Sequence, residues 1–308
     1  MPGAHVQRSS IDRGDGAAPV AALLALLFNA FTWGVSWWPL RQLQALGVHP
    51  LWATAMTYGV VVVALLLWRP STGRELLRTR SLWVLVLASG LTNATFNWGV
   101  TIGDVVRVVL LFYLMPMWTV LLARWLLHEP LHGGVVLRSL LAVAGALVVL
   151  WPPGGGWPLP RAPAEWLGLA GGLSFALNNV MLRREAHRAA TSRALAMFTG
   201  GCLVSGAAAL AGATFGVEPP AWGAAASWTP WVLLMALWFM GANLSLQFGA
   251  ARLRASTTAV VMVSEVVFAS VSAVALGAAT LQPHTVAGGL LIAAAALLAA
   301  WQEGRSRR

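Results

Sequence analysis

The stretch VVRVVLLFYLMPMWTVLLARWLL, residues 105–127, decides the fold class of this chain. It contains only two charged side chains, Arg107 and Arg124, which lie near its two ends. About 20 predominantly apolar residues in a helix cross a bilayer core about 30 Å thick, so the stretch predicts a membrane-spanning helix. Pro116 lies in its middle, and because proline removes a backbone hydrogen bond, we expect a kink or hinge there.

Further apolar segments of similar length lie on both sides of this one, and the connections between them are short. Of the 308 residues, 58% are hydrophobic and 10% are charged, with a mean hydropathy of +0.72. A soluble domain carries roughly 25% charged residues, so the composition excludes an ordinary soluble enzyme and a disordered chain. The sequence predicts an all-α polytopic membrane protein with ten spans, numbered in chain order: 19–40, 50–68, 82–102, 105–127, 134–151, 165–182, 194–215, 229–250, 256–279 and 284–301.

The distribution of arginine predicts the orientation of these spans. The chain has 20 arginines, no lysine and 10 acidic residues, which gives a net charge of +10. In a soluble protein this excess would suggest nucleic-acid binding, but here the arginines cluster between spans and indicate topology. With the N-terminus inside, all but Arg41, Arg107 and Arg161 face the cytoplasm. We therefore predict a multi-pass protein of the cytoplasmic (inner) membrane, with both tails, 1–18 and 302–308, in the cytoplasm.

The two halves of the sequence match each other at a shift of 150 residues. This shift pairs Asn93 with Asn243 and Asn97 with Gln247. Because each half holds an odd number of spans, the second copy enters the membrane from the opposite side. Inverted five-helix repeats of this kind are typical of secondary transporters with a substrate site near the membrane midplane. The predicted repeats cover residues 19–151 and 165–301.

Residues 108–131 resemble a repeat of the EamA family, which belongs to the drug/metabolite transporter superfamily. As in such repeats, an apolar helix carries a mid-span proline, Pro116, and ends in a short turn that contains Glu129. Residues 256–281 resemble the second repeat, with a start of small residues and a mid-span Glu265. The family's Trp-Gly-Ser opening is matched on span 1 by Trp33, Gly34 and Ser36.

The resemblance implies a fold and an activity. EamA proteins fold as ten helices in two inverted repeats, so we expect a transporter of small organic metabolites rather than an enzyme, with export as the direction. One departure concerns span 9, where many relatives have Glu-Pro. Here Glu265 is followed by Val266, which predicts that the kink of the relatives is lost.

Glu265 is the strongest single candidate for a functional residue. A bare charge this deep in a span costs roughly 2.5–3.5 kcal/mol or more, so we expect the carboxyl group to face the bundle interior, to pair or to stay protonated. We predict that it carries a coupling proton or binds an ammonium group of the cargo. The alternative is a neutral glutamic acid that is hydrogen-bonded to another helix for structural reasons.

Amides form the second group of candidates. Asn93 and Asn97 are four residues apart and share one helix face, and Asn243 and Gln247 repeat that spacing. We predict a polar central cavity that binds the polar groups of the cargo. The alternative is interhelical hydrogen bonding, worth about 0.6–2 kcal/mol per bond. The other candidates for this cavity, with packing as the alternative role of the tryptophans, are Asn178, Asn179, Ser36, Trp33 and Trp98.

Asp104 and Arg107 lie at the outer end of span 4, three residues apart, so their side chains can meet on one helix face. One interpretation is a gate, or a recognition pair for a zwitterion, at the outer vestibule. The other is an interfacial salt bridge that holds the helix end, worth about 0–1 kcal/mol when exposed to water.

The segment His128-Glu129-Pro130-Leu131-His132 matches the H-E-x-x-H pattern of zinc hydrolases. Pro130 disfavours helix at Glu129, and the other histidines offer no recognisable third ligand, so we predict no metal site and no cofactor. Because the chain has no lysine, it has no P-loop, which excludes ATP as the direct energy source.

These patterns predict a secondary active transporter that moves amino-acid-like or amphiphilic metabolites by alternating access. Its expected partners are the lipid bilayer, a small-molecule substrate and a proton as candidate coupling ion, with no nucleic acid. Two alternatives from other classes are an intramembrane enzyme built on the H-E-x-x-H motif and a non-transporting membrane sensor or partner.

Overall fold

The structure, a computed structural model, describes residues 17–127, 133–151, 157, 159–250, 252–253 and 261–306. These residues form α-helices, two short 3-10 turns and connecting loops, with no β-strand among them, as predicted. The helices are α1 (Ala17–Val35), α2 (Trp37–Ala45), α3 (Pro50–Trp68), α4 (Ser71–Arg78), α5 (Arg80–Ile102), α6 (Val105–Phe112), α7 (Met115–Leu127), α8 (Gly133–Val149), α9 (Pro163–Arg184), α10 (Ala190–Ala211), α11 (Ala225–Ala250), α12 (Ser264–Ala275) and α13 (Pro283–Ser306).

Five segments in the described part of the chain are long and apolar enough to cross a membrane: Val20–Ala45, Pro50–Trp68, Val105–Leu126, Ala190–Thr214 and Trp222–Ala250. Shorter apolar segments lie within α8, α12 and α13. Helices α5 and α9 have 23 and 22 residues, enough to span a bilayer, but each contains two asparagines that lower its mean hydropathy. The apolar helices agree with a multi-pass membrane protein, while the count of ten spans stays a prediction.

Helices from the first half of the chain pack mainly on helices from the second half. Helix α1 contacts α11 and α12, α3 contacts α10 and α11, and α5 lies between α9 and α10. Helices α6 and α7 pack on α9, and α6 also contacts α12. Helix α8 pairs chiefly with α13. Residues near the middle of the spans therefore meet at contacts between the two halves.

Glycines allow some of these contacts to be very close. A Cβ atom at Gly200 in α10 would overlap the carbonyl oxygen of Val86 in α5. A Cβ atom at Gly34 in α1 would lie 2.7 Å from Phe268 Cβ and 2.8 Å from the carbonyl oxygen of Glu265 in α12. Small residues at helix contacts let backbones approach in this way in membrane proteins. Gly34 thus brings α1 directly against the backbone of the candidate glutamate.

The helical backbone is interrupted in the middle of span 4. Tyr113 and Leu114 form a turn between α6 and α7, where the Leu114 N–H donates to Leu111 O at 3.2 Å and the Met117 N–H to Leu114 O at 3.0 Å. These bonds to the third preceding residue tighten the helix just where Pro116 supplies no N–H. The helix is thus interrupted next to Pro116, and the role of this position as a hinge stays a prediction.

A second interruption lies at Val263, immediately before α12. The Val266 N–H donates to Val263 O at 3.1 Å, a bond to the third preceding residue. In a regular α-helix it would bond to Met262 O, which here accepts the Tyr113 hydroxyl instead. The helical hydrogen bonding is thus interrupted here without a proline, while the loss of the relatives' kink in span 9 stays a prediction.

Candidate functional site

An aromatic cluster fills the interior where the two halves meet. Neighbouring ring centroids lie 4.8 to 6.4 Å apart, and Trp33 is stacked on Phe239 with an interplanar angle of 12°. Phe96, Phe112 and Phe239 are each at least nine-tenths buried. We call this set, drawn from seven helices, the central aromatic cluster: Trp33, Tyr58, Phe96, Phe112, Phe175, Phe198 and Phe239.

Glu265 lies beside this cluster, at the first turn of α12, and is 5% exposed. Its Oε2 atom lies 2.9 Å from the hydroxyl oxygen of Tyr113, and that hydroxyl also lies 2.7 Å from the carbonyl oxygen of Met262. The Tyr113 ring in turn contacts Phe112 at a centroid distance of 6.2 Å. The contact therefore joins the interruption of span 4 to the interruption before α12.

Helix α1 and the first residue of α2, Trp37, cover the other side of α12. Besides the approach at Gly34, the Trp37 Nε1–H donates to Ser272 Oγ at 3.0 Å, and Phe31 packs edge-on against Phe268 at 5.4 Å. A buried carboxyl group held between helices is either neutral or paired, because an isolated charge at this depth is costly.

The amides of α5 are bonded to the neighbouring helix α3. Asn93 accepts the hydroxyl of Tyr58 and donates to Ser89 O at 2.8 Å, and Asn97 donates to Thr54 Oγ1 at 3.1 Å. The two amides share a helix face, as their spacing predicts. That face is packed against another helix, which favours the alternative of interhelical hydrogen bonds over the lining of an open cavity.

The matching amides of α11 lie in a different environment. Gln247 donates to Asn243 Oδ1 at 2.8 Å, and Arg193 at the start of α10 donates to Gln247 Oε1 at 3.4 Å. Asn243 also contacts the sulfur of Met197 at 3.8 Å. Gln247 is thus linked to the end of the bundle that we predict to be cytoplasmic, whereas Asn97 and Asn93 bond to α3.

The remaining candidates are dispersed. Trp33 belongs to the central aromatic cluster, whereas Trp98 packs edge-on against His49 at 5.3 Å, near the start of α3. Ser36 is the turn residue between α1 and α2, and its hydroxyl donates to Trp33 O at 2.9 Å. Asn178 is 1% exposed and neither polar atom of its amide has a partner, and Asn179 beside it is partly exposed. Trp33 and Trp98 therefore pack against different aromatic partners.

At the predicted outer end of the bundle, Arg107 pairs with Glu165 of α9, with 2.7 Å between Nη2 and Oε1. The Asp104 carboxylate caps α6 by accepting the Arg107 backbone N–H at 2.9 Å. Glu165 also accepts the backbone N–H of Arg161 at 2.7 Å. The expected pair of Asp104 with Arg107 thus takes the form of a helix cap, and the guanidinium group joins the two halves of the chain.

At the opposite end, Arg188 bridges Glu75 of α4 and Glu185. Its Nη1 atom lies 2.8 Å from Glu75 Oε1, and the Ser192 hydroxyl donates to Glu75 Oε2 at 2.6 Å. The bond from Ser192, and then those from Arg188, lower the pKa of Glu75 below its ordinary value. Burial alone would raise the pKa of Glu185, but its hydrogen bonds outweigh burial and lower it. This network also joins the first half to the second.

The H-E-x-x-H segment, residues 128–132, lies outside the described residues. Within the described residues, no group of three or more His, Cys, Asp and Glu side chains is arranged to hold a metal ion.

Sequence reasoning missed four of the residues that build these contacts: Tyr113, Glu165, Glu75 and Arg188. Tyr113 is one of two tyrosines in the chain and lies three residues before Pro116, so a polar side chain beside a mid-span proline was an available signal. The ion pairs between the two halves carried no local signal, because Arg107 and Glu165, like Arg188 and Glu75, are far apart in the sequence.

The fold and these contacts define a helical membrane protein whose two halves meet around an interior glutamate. The model of the EamA-like transporter family matches residues 20–151, which confirms over the first half of the chain the resemblance seen in the sequence. A solved crystal structure of a protein covers 94% of this chain and 97% of its own length, with 22% sequence identity and a TM-score of 0.60. That likeness shows a shared fold. No curated protein matches the chain in sequence.

Proposed function

We propose that the chain is a secondary active transporter that moves a small organic metabolite across the membrane by alternating access. The family match supports transport as the activity. The observation that carries the proposal is the contact between Tyr113 and Glu265, which joins two interrupted helices in the bundle interior. Interrupted helices at corresponding positions of the two repeats are where transporters bind substrates and coupling ions.

The ion pairs at the two ends of the bundle support the alternating-access mechanism. Arg107–Glu165 and Arg188–Glu75 each join one half of the chain to the other, at opposite ends of the helices. Opening either end separates the partners there and leaves the other pair in place. With both pairs formed and the central aromatic cluster closely packed, we assign this conformation to an occluded state.

The proposed cargo is amino-acid-like or amphiphilic. Its apolar part would displace rings of the central aromatic cluster, where Trp33 and Phe239 form a flat stacked pair. Glu265 would bind its ammonium group or exchange a proton with it. The export direction follows the family resemblance, and the location in the cytoplasmic membrane with both termini inside follows the arginine distribution.

The test is untargeted metabolite profiling of the medium from cells that express the wild type, Glu265→Gln or an empty vector. Glu218→Gln is the matched control, since Glu218 is an exposed glutamate in the loop before α11. We expect one metabolite class to be enriched outside with the wild type and Glu218→Gln, and to fall to the vector level with Glu265→Gln. The proposal would be contradicted if the wild type and the empty vector, at equal membrane abundance of the wild-type and variant proteins, gave the same metabolite levels in the medium, with neither enrichment nor depletion.

A further inference from the structure

The hydroxyl group of Tyr113 has two acceptors and one hydrogen. Its oxygen lies 2.7 Å from Met262 O and 2.9 Å from Glu265 Oε2. The Met262 carbonyl can only accept, so it takes the tyrosine hydrogen when the bond is made. The hydroxyl has one hydrogen, so when the Met262 carbonyl accepts it, the contact to Oε2 is a hydrogen bond only if Glu265 is protonated and donates to the Tyr113 oxygen.

We infer that Tyr113 is a positioning residue that makes Glu265 a proton-binding site whose protonated form locks the two interrupted helices together. This inference rests on the proposed transport function and assigns its coupling ion. In the locked form the Glu265 acid hydrogen is donated to the Tyr113 oxygen, and the Tyr113 hydrogen is donated to the Met262 carbonyl.

Loss of the proton rearranges this chain of hydrogen bonds. The carboxylate of Glu265 has no hydrogen to donate and becomes the stronger acceptor, so the Tyr113 hydrogen turns toward it. The Met262 carbonyl is then left without a partner, because the Val266 N–H is already bonded to Val263. A carbonyl group without a hydrogen-bond partner is unfavourable inside a bilayer, so deprotonation favours a different backbone conformation at Val263. Release of one proton is thereby converted into a change at the interruption.

The surroundings of Glu265 contain no other charge, among the described residues, that could take over this role. Helix α1 has no ionisable side chain. Helix α6 contains one ionisable side chain, Arg107, in its first turn, whereas Tyr113 follows its last residue. The Arg107 guanidinium is paired with Glu165. Within α12 itself, Glu265 is the ionisable residue. Helix α2, whose Trp37 bonds to Ser272 of α12, carries Arg41, and that guanidinium donates to the backbone carbonyls of Thr101 and Gly103. In the described part of the chain, no charged side chain is thus bonded to the Tyr113–Glu265 pair.

The experiment is infrared spectroscopy of the purified full-length protein in lipid nanodiscs, as a function of pH. The variants are Glu265→Gln, Tyr113→Phe and Tyr58→Phe. Tyr58 is the matched control because it is the other tyrosine of the chain, is equally buried and bonds to Asn93 rather than to a carboxyl group. Counterflow of the metabolite found by profiling is measured on the same preparations in liposomes.

We expect a carboxylic-acid C=O band in the wild type that disappears at high pH and is absent from Glu265→Gln. In Tyr113→Phe this band moves to higher frequency, because the acid has lost its hydrogen-bond acceptor, and the pH at which it disappears changes. Tyr58→Phe leaves the band in place. If Tyr113→Phe does not fold, Tyr58→Phe provides the test, because Tyr113 is then the single tyrosine of the chain. In that protein the phenol C–O band of Tyr113 must change at the same pH as the acid band of Glu265.

The inference is overturned if the wild type shows no carboxylic-acid C=O band, or if that band is the same in Tyr113→Phe as in the wild type. The result separates it from the transport proposal: flux without a Tyr113-sensitive acid band rejects the proton lock and keeps the transporter. The expected infrared behaviour with no flux of any profiled metabolite rejects the proposed function. Proton coupling further requires that the pH-gradient dependence of flux is lost in Tyr113→Phe and kept in Glu218→Gln, the exposed-loop control.

Discussion

Arg107 and Glu165 form an ion pair between the two halves of the chain, with 2.7 Å between the guanidinium nitrogen and the carboxylate oxygen. Arg107 lies in the first turn of α6, the helix that leads to Tyr113, and Glu165 lies in the first turn of α9, the helix that packs against α6 and α7. Asp104 fixes the same helix start by accepting the Arg107 backbone N–H. Movement of α6 relative to α9 must therefore stretch or break this pair.

Removing the pair is expected to show a large coupling between its two members. The Glu165 side chain is 10% exposed, so it is little screened by solvent, and a hydrogen bond between charged groups contributes about 1.5–3 kcal/mol. We expect Arg107→Gln and Glu165→Gln to destabilise the protein singly, and the double variant to cost less than their sum by about that amount. The measurement is a double-mutant cycle on the free energy of unfolding in detergent. Additive effects would show that the pair contributes no interaction of its own.

The network at the opposite end is expected to weaken in acid. The pKa of Glu75 is lowered by its bonds from Ser192 and Arg188, so its contribution to stability is complete above its unfolded-state pKa of about 4.5 and is lost as the pH falls below that value. The Glu75 side chain is 32% exposed, which limits the effect to about 0.2–1 kcal/mol. Thermal unfolding of Glu75→Gln should therefore differ from the wild type at pH 7, and the difference should shrink through pH 4.

The control for this prediction is Glu218→Gln, which removes an exposed glutamate from a loop and should show no such pH-dependent difference. A wild-type stability advantage over Glu75→Gln that grows on acidification would mean that the sign of the linkage is reversed.

The length and hydropathy of the apolar runs predicted the helical membrane fold, because both depend on local sequence. Pro116 likewise predicted the interruption of span 4, since a missing N–H acts where it stands. The interruption at Val263 has no such local cause. It coincides with a hydrogen bond to Met262 O from the hydroxyl of Tyr113, a residue far away in the sequence that reaches Met262 only through the tertiary fold.

Helical periodicity identified which face of α5 carries its amides but not what lies opposite that face. Asn93 and Asn97 do share a face, and the partners of that face are Tyr58 and Thr54 of α3. The repeat shift paired Asn97 with Gln247, yet Gln247 is bonded to Arg193 near one end of the bundle. Equivalent positions in a sequence repeat need not have equivalent surroundings, because their neighbours are different residues.

The bond between Asn97 and Thr54 gives the packing role of the α5 amides a direct test. We expect Asn97→Ala to lower the unfolding free energy by about 0.6–1.7 kcal/mol, the range of interhelical hydrogen bonds in membranes. Thr54→Val removes the same bond while keeping the side-chain volume, so it should cost a similar amount. Substrate affinity of the folded fraction, measured by counterflow, should stay close to that of the wild type. A changed substrate affinity with an unchanged unfolding free energy would instead indicate that Asn97 binds the substrate.

The substitution Gly34→Ala is expected to displace Glu265, because Gly34 of α1 packs against the backbone of α12. The added Cβ would lie 2.7 Å from Phe268 Cβ and 2.8 Å from the Glu265 carbonyl oxygen, so α1 and α12 must separate or shift. Overpacking of this kind costs about 1–3 kcal/mol, and the shift of Glu265 should reduce transport beyond the loss of folded protein. The matched control is Gly241→Ala in α11, where the added Cβ meets an ordinary contact at 3.7 Å from Phe28. Flux per folded molecule should fall in Gly34→Ala and remain near the wild-type value in Gly241→Ala. Equal flux in the two variants would show that the close approach of α1 to α12 is not needed for the activity.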